Sequence, residues 1–277
     1  MSNWEDFEIE CTSYLNSKFS TYANFKHMGG ADSTKPDILV QLNDGTRFFM
    51  EAKQTPAQCG QFVLIPDIER RCFAYSEKNA SRINQYAKEI MKHMDKQFDE
   101  YREAGTSGKS IEMPDSDILF TNWIVDYYKN KGVKYFITND YTIFPIDAFG
   151  NHFDVSATYR IKRSGSGEVG KPRLNIVKDY ILSLDYAIDS VSAESGKLFV
   201  ESRRNLHNQR FIIGKYEYMF SQRGDRYEIR KLSNTYNANV IFSIIKKHAA
   251  GLSDSEFIES ICGDCESFSV NNTFYGI

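Results

Sequence analysis

The sequence predicts an α/β protein: a mixed sheet with helices on both faces, followed by a β-rich region. Three observations carry that prediction. Through the first 150 residues helical and strand periodicities alternate, in the order helix, strands, helix, strand. After them come short strand patterns joined by connections rich in Gly, Ser, Asn and Arg. Aromatic residues reach 14%, with 20 Phe and 17 Tyr, a content that suits packed helix–sheet layers. The expected division is 1–150 and 151–277.

In chain order, Trp4, Phe7, Ile9, Cys11, Tyr14, Leu15 and Phe19 fall mostly on one helical stripe, with Asn3 as a cap. Pro36-Asp37-Ile38-Leu39-Val40 begins an apolar strand, Asn43-Asp44-Gly45 is a hairpin turn, and 46–53 runs back as the partner. The stretch 81–101 has the spacing of one long amphipathic helix, capped at Ser81 and closed near Gly105. A shorter helix is expected over 123–128, ended at Gly132. Strands at 133–138 and 141–146 meet at an Asn139-Asp140 turn. Further short strands are expected at 155–162, 198–202, 211–220, 227–232 and 240–244.

Composition narrows the function classes. A length of 277 residues suggests two domains. The formal net charge of −3 argues against coating nucleic acid by bulk charge, and leaves room for a local basic surface beside an acidic pocket. No run approaches the roughly 18 apolar residues of a membrane span, and the start, MSNWEDFEIE, is acidic and amphipathic rather than a signal peptide. The expectation is a cytoplasmic protein with no membrane partner. Five cysteines, an odd number, point to free thiols.

The hairpin carries the chemistry. Period-2 alternation sends Glu51 and Lys53 to one face and Met50 and Ala52 to the other, and Asp37 on the neighbouring strand can meet Glu51 across the pair. Paired carboxylates hold a hard divalent ion through oxygen ligands, which makes Asp37 and Glu51 candidate ligands of Mg2+, with the Ala52 carbonyl as a further oxygen. A lysine beside the metal orients and helps deprotonate the bound water, or stabilises developing charge. A surface ion pair of Glu51 with Lys53 is the competing reading.

Pro36-Asp37, thirteen residues, then Glu51-Ala52-Lys53 resembles the signature of the PD-(D/E)XK nuclease superfamily. Pro66-Asp67 and Pro114-Asp115 are also PD pairs, but no E-x-K hairpin follows either. Nuclease cores of this type often take another carboxylate from the first helix. Of Glu5, Asp6, Glu8 and Glu10, we favour Glu8 as a catalytic residue, against a solvated helix-face charge.

Six stretches in order along the chain resemble the HhaI-like type II restriction endonucleases. They are DFEIECTSYLN (6–16), DSTKPDIL (32–39), EAK with QCGQFVLIP (51–66), NWIVDYYKNKGVKYFIT (122–138), TYRIKRSGS (158–166) and LSNTYNANVIFSI (232–244). The resemblance implies a magnesium-dependent site-specific deoxyribonuclease that cuts double-stranded DNA at a short GC-rich palindrome, GCGC. It also implies a monomer with one active site, paired with a DNA methyltransferase in a restriction-modification system.

Two segments are placed to touch DNA. A loop leaving Lys53 offers Gln54, Gln58 and Gln61, against an ordinary polar loop. From Arg160 to Arg173 there are five basic residues and one acid, and Arg160, Lys162, Arg163, Ser164 and Ser166 are the DNA-binding candidates, against a solvated basic hairpin. Arginines from 203 to 230 are assigned to phosphates.

The five histidines show no metal-site spacing, and Cys262-Gly-Asp-Cys265 lacks the second pair of a zinc site. Two rivals to a restriction enzyme stand: a repair or recombination nuclease that reads DNA structure, and a non-catalytic DNA-binding module.

Overall fold

The computed structural model describes residues 4–29, 35–163, 165–184 and 186–270, with 264–270 described by backbone alone. The expected Asn3 cap and the candidate Ser164 lie outside the described residues, as does the Cys265 side chain. The chain forms two compact units, Met1–Arg160 with Asn239–Ile277, and Ile161–Ala238. The division expected at 150 therefore differs in two ways. A strand carries the chain out of the first unit only at Arg160, and the C-terminal stretch returns to that unit.

The first unit opens with helix α1 (Trp4–Phe19) and strands β1 (Ala23–His27), β2 (Ile38–Leu42) and β3 (Arg47–Lys53). It continues through β4 (Ala57–Asp67), β5 (Cys72–Tyr75), helices α2 (Gln85–Asp95) and α3 (Phe98–Arg102), and β6 (Lys109–Ser110). Helix α4 (Ser116–Lys129), strands β7 (Val133–Thr138) and β8 (Ile143–Pro145), helix α5 (Phe149–His152) and strand β9 (Phe153–Arg163) follow.

One sheet runs β1-β2-β3-β7-β8. It is mixed: β3 and β7 are parallel, and the other neighbours are antiparallel. On one face Ile38, Val40, Met50, Ala52 and Ile137 pack with Phe7, Cys11, Leu15 and Phe19 of α1. Leu15 and Met50 are fully buried, and each gains on the order of 2 kcal/mol by leaving water. On the other face Tyr128 of α4 meets Phe136 of β7 edge-on, 5.2 Å between ring centroids.

The long helix expected over 81–101 is two helices. Asn84, not Ser81, caps α2, its Oδ1 accepting from the Ala87 N–H at 2.8 Å, while Ser81 engages the Tyr75 hydroxyl. Gln97 leaves helical geometry at φ −122°, ψ 35°, and separates α2 from α3. The helix expected over 123–128 is longer, α4 starting at Ser116.

The second unit holds β10 (Ser166–Glu168), α6 (Leu174–Leu182), β11 (Ile188–Glu194), β12 (Lys197–Ser202), β13 (Arg210–Ile213), β14 (Tyr216–Arg223) and β15 (Arg226–Leu232). Its sheet order is β11-β12-β15-β14-β13, with β10 beside β15. The strand expected over 211–220 is the β13–β14 hairpin, paired from Ile213 and Tyr216 outward. Its core joins Val177 and Ile181 of α6 to Leu198, Val200, Tyr218, Phe220 and Ile229.

Strand β16 (Tyr236–Lys246) and helix α7 (Asp254–Val270) follow. The first unit's other sheet runs β5-β4-β16-β9-β6. From α7, Phe257 and Ile261 join α1 on the first sheet. Among the described residues no helix is long and apolar enough to cross a membrane.

Candidate active site

Asp37 immediately precedes β2. Its carbonyl accepts from the N–H groups of Met28 (2.7 Å) and Gly29 (3.1 Å), prolonging the β1–β2 pairing. Its Oδ2 accepts from the Ala52 N–H at 3.0 Å, which sets the carboxylate against the end of β3. Ala52 and Met50 face the α1 core, so Glu51 and Lys53 emerge on the opposite face. Lys53 Nζ lies 2.6 Å from Glu51 Oε1 and 3.6 Å from Asp37 Oδ2. The hairpin thus brings together the three charged groups picked out in the sequence. They are no surface ion pair: Asp37 and Glu51 are 8% and 6% exposed.

Burial raises the Asp37 carboxyl above the ordinary range against the pull of Lys53, and neighbouring Glu8 adds to the rise. Glu51 is raised by the same burial and by Asp37, while Lys53 and Lys131 pull against it. Burial works against the charge on Lys53, but Glu51 and Asp37 outweigh it and hold the ammonium above the usual lysine range. The second oxygen of Glu51, Oε2, is buried with no hydrogen-bond partner among the described residues. A charged oxygen left so is costly unless a cation completes it.

These groups line a cleft of about 540 Å3 together with Glu8, Gln58 and Gln61. Glu8 is buried, while Asp6 and Glu10 on the same helix are exposed. Its Oε2 lies 3.0 Å from His27 Nε2. Gly29 makes this possible, since a Cβ there would stand 1.9 Å from Glu8 Oε2. Behind Lys53, the Cys59 thiol is fully buried and donates to the Tyr128 hydroxyl at 3.9 Å. Burial pushes that thiol up to about 12, against the pull of Lys53, so it stays neutral.

The expected loop after Lys53 is only the short connection 54–56, and Gln58 and Gln61 stand on β4. Buried Cys59, Phe62 and Leu64 tie this strand to the core. Between Cys59 and Phe62 the alternation slips by one, at Gly60. That residue has φ +97°, and a Cβ on it would meet the Trp123 ring at 2.8 Å. Gln58 Nε2 donates to Gln61 Oε1 at 3.2 Å. Gln54 is exposed and outside the cleft lining.

The basic candidates after 159 are not cleft residues. Arg160 is half-buried, with its Nε unpartnered among the described residues. Lys162 is exposed. Within the second unit, Arg163 pairs with Glu217 and donates to the Tyr236 hydroxyl at 3.1 Å, and Ser166 is held by Arg230 through both its hydroxyl and its carbonyl. Arg203, Arg210, Arg223, Arg226 and Arg230 also carry acidic partners.

The sequence pattern did not single out His27, Lys35, Lys78, Asn79, Tyr127 or Lys131. Except for His27, which reaches the site through Glu8, they line the cleft. Lys35 comes with Asp37 two residues on, and the others are brought there by long-range packing, which no local motif marks.

No protein-family model and no curated protein matches the chain. A solved structure of HhaI endonuclease in complex with DNA is similar over 97% of this chain and 98% of that one, with 39% sequence identity and a TM-score of 0.77.

Proposed function

The chain belongs to the HhaI-like type II restriction endonucleases, and from that premise we propose that it hydrolyses phosphodiester bonds of double-stranded DNA at GCGC with magnesium as cofactor. The observation that carries this reading is the convergence of Asp37, Glu51 and Lys53 in one cleft, with a buried oxygen of Glu51 left unpartnered.

The residues fit a hard divalent cation. Asp37, Glu51 and the Ala52 carbonyl would hold it. A strand residue points its N–H and C=O the same way, and the Ala52 N–H is already turned to Asp37. When bound, magnesium supplies Lewis-acid polarisation of the phosphate and lowers the pKa of a coordinated water. Lys53, held by Glu51, positions the attacking water and offsets charge building on the phosphate. Glu8, fixed by His27, holds a proton-accepting oxygen at the cleft wall.

Gln58 and Gln61 line the same cleft as these groups and take base-edge or phosphate contacts. Of the DNA-binding candidates after 159, Arg160 and Lys162 take phosphate contacts, while Arg163 and Ser166 shape their strand through Glu217 and Arg230. On the same reading the enzyme acts as a monomer, nicking one strand and then the other, and is paired with a methyltransferase that protects the site.

Digestion of a sequenced plasmid with magnesium, followed by run-off sequencing of the ends, tests this. A discrete ladder at GCGC is the expected result. Discrete ends at another palindrome would overturn the specificity alone. Cutting confined to branched or mismatched DNA would favour a repair nuclease, and binding without cutting would favour a binding module.

A further inference from the structure

Beside the catalytic cleft lies a second hollow of about 440 Å3, lined by Arg82, Asn84, Asp126 and Asn130. It shares Ala80, Tyr127 and Lys131 with the cleft, so the two adjoin at these residues. The segment 78–84 walls the cleft with its first residues and the second hollow with its last, meeting both at Ala80, and it is pinned near each end. At the near end Asn79 acts as a substitute strand: its Oδ1 accepts from the Val63 N–H at 2.7 Å and its Nδ2 donates to the Val63 carbonyl at 2.9 Å. At the far end Asn84 caps α2 and donates to Asp126 Oδ2 at 2.7 Å.

Two cations ride on this pinned segment. Lys78 lines the catalytic cleft and Arg82 lines the second hollow; both are exposed and have no acidic partner among the described residues. Glu77, their acidic neighbour, lines neither hollow. The acid in the second wall, Asp126, is already engaged by the amides of Asn84 and Asn130. The arginines of the second unit stand in contrast, matched to glutamates and aspartates. Lys131 is held in place from the opposite side. Its Nζ sits 4.3 Å from the Tyr127 ring centroid, and the next residue, Gly132, accepts from the Phe49 N–H at 3.0 Å, two positions before Glu51.

Lys78 and Arg82, cations without acidic partners among the described residues, stand on either side of Lys131 along two adjoining hollows, a layout that matches a row of phosphates. We propose that Lys78, Lys131 and Arg82 form a phosphate track leading away from Lys53, which takes successive phosphates of the cut strand on one side of the scissile bond. The proposal rests on the nuclease reading for the identity of the strand, and on the two hollows for its path.

Equilibrium binding of a GCGC-containing duplex without divalent metal, measured over a series of salt concentrations, tests it. Each of Lys78→Ala, Arg82→Ala and Lys131→Ala is expected to lower the slope of log affinity against log salt by about 0.9 and weaken binding roughly threefold to tenfold, equally on unrelated duplexes. Lys78→Arg and Lys131→Arg are expected to keep the slope, which separates charge from packing. Replacing single phosphates by methylphosphonates should find one flanking position at which Arg82→Ala costs nothing further. Unchanged slopes in all three alanine variants would overturn the track, as would wild-type binding indifferent to salt. Because no cutting is involved, a chain that bound duplex through these residues yet cleaved nothing would sink the nuclease reading and leave the track standing.

Discussion

The backbone N–H of Ala52 donates to Asp37 Oδ2 at 3.0 Å, so the strand that carries Glu51 and Lys53 also fixes the third member of the trio. The spacing of the three groups is therefore set by the hairpin itself, through Ala52 and the Lys53 ion pairs.

Asp37→Asn keeps an oxygen to accept from Ala52 while removing a charge that burial and Glu8 disfavour. Cleavage should fall by about 10³-fold or more, the scale of several kcal/mol of lost transition-state stabilisation. The melting temperature of the metal-free variant should equal or exceed that of wild type. A clear drop would mean that the carboxylate serves the fold rather than the reaction.

Lys53→Met should abolish cleavage and leave duplex affinity within a few-fold. It also strips the ammonium from two buried carboxylates. Leaving a buried charge uncompensated costs about 3 kcal/mol, so denaturant unfolding should show a loss of that order. Normal cleavage by this variant would remove the lysine from the mechanism.

Gly29→Ala places a methyl group where Glu8 Oε2 now sits, and must push that carboxylate off His27. If Glu8 serves the reaction, Gly29→Ala and Glu8→Gln should lower kcat to a similar degree, and the double variant should be no worse than either. Steady-state kinetics on a single-site oligonucleotide decide this; full activity in Glu8→Gln makes it a structural charge.

Glu228 lies in the second unit, 5% exposed, with Oε1 2.6 Å from Arg230 Nη1 and Oε2 3.1 Å from Arg223 Nε. Burial works to raise its carboxyl, but the two arginines outweigh that and hold it below the ordinary glutamate range. A depressed folded-state value means the stabilisation is present above the unfolded value and lost as pH falls. Glu228→Gln should therefore cost about 2 kcal/mol at pH 7, discounted for the exposure of Arg223, and the gap should close below about pH 4. Thermal melts of the two proteins across that range provide the check.

Much of the first sheet was readable because its information is local. The Asn43-Asp44-Gly45 turn and the alternation from Phe48 to Lys53 specify the hairpin, its faces and the trio on them. Strand β7 matches its expected span for the same reason. What was missed depends on partners distant in sequence. Strand β4 reads as a polar loop because its glutamines face outward and its inward positions slip at Gly60. The break at Gln97 sits inside an unbroken apolar stripe, and Asp95 spends its carboxylate on the Phe73 N–H. Glu8 was one of four equivalent acids until β1, itself unread, put His27 beside it.

Residues 161–238 leave the first unit along β9 and return along β16, and these two strands are immediate neighbours in one sheet. The second unit is thus an insertion hung from a doorway one strand spacing wide. Such a module can be exchanged for another, or shortened to a plain turn, without cutting any strand of the catalytic sheet.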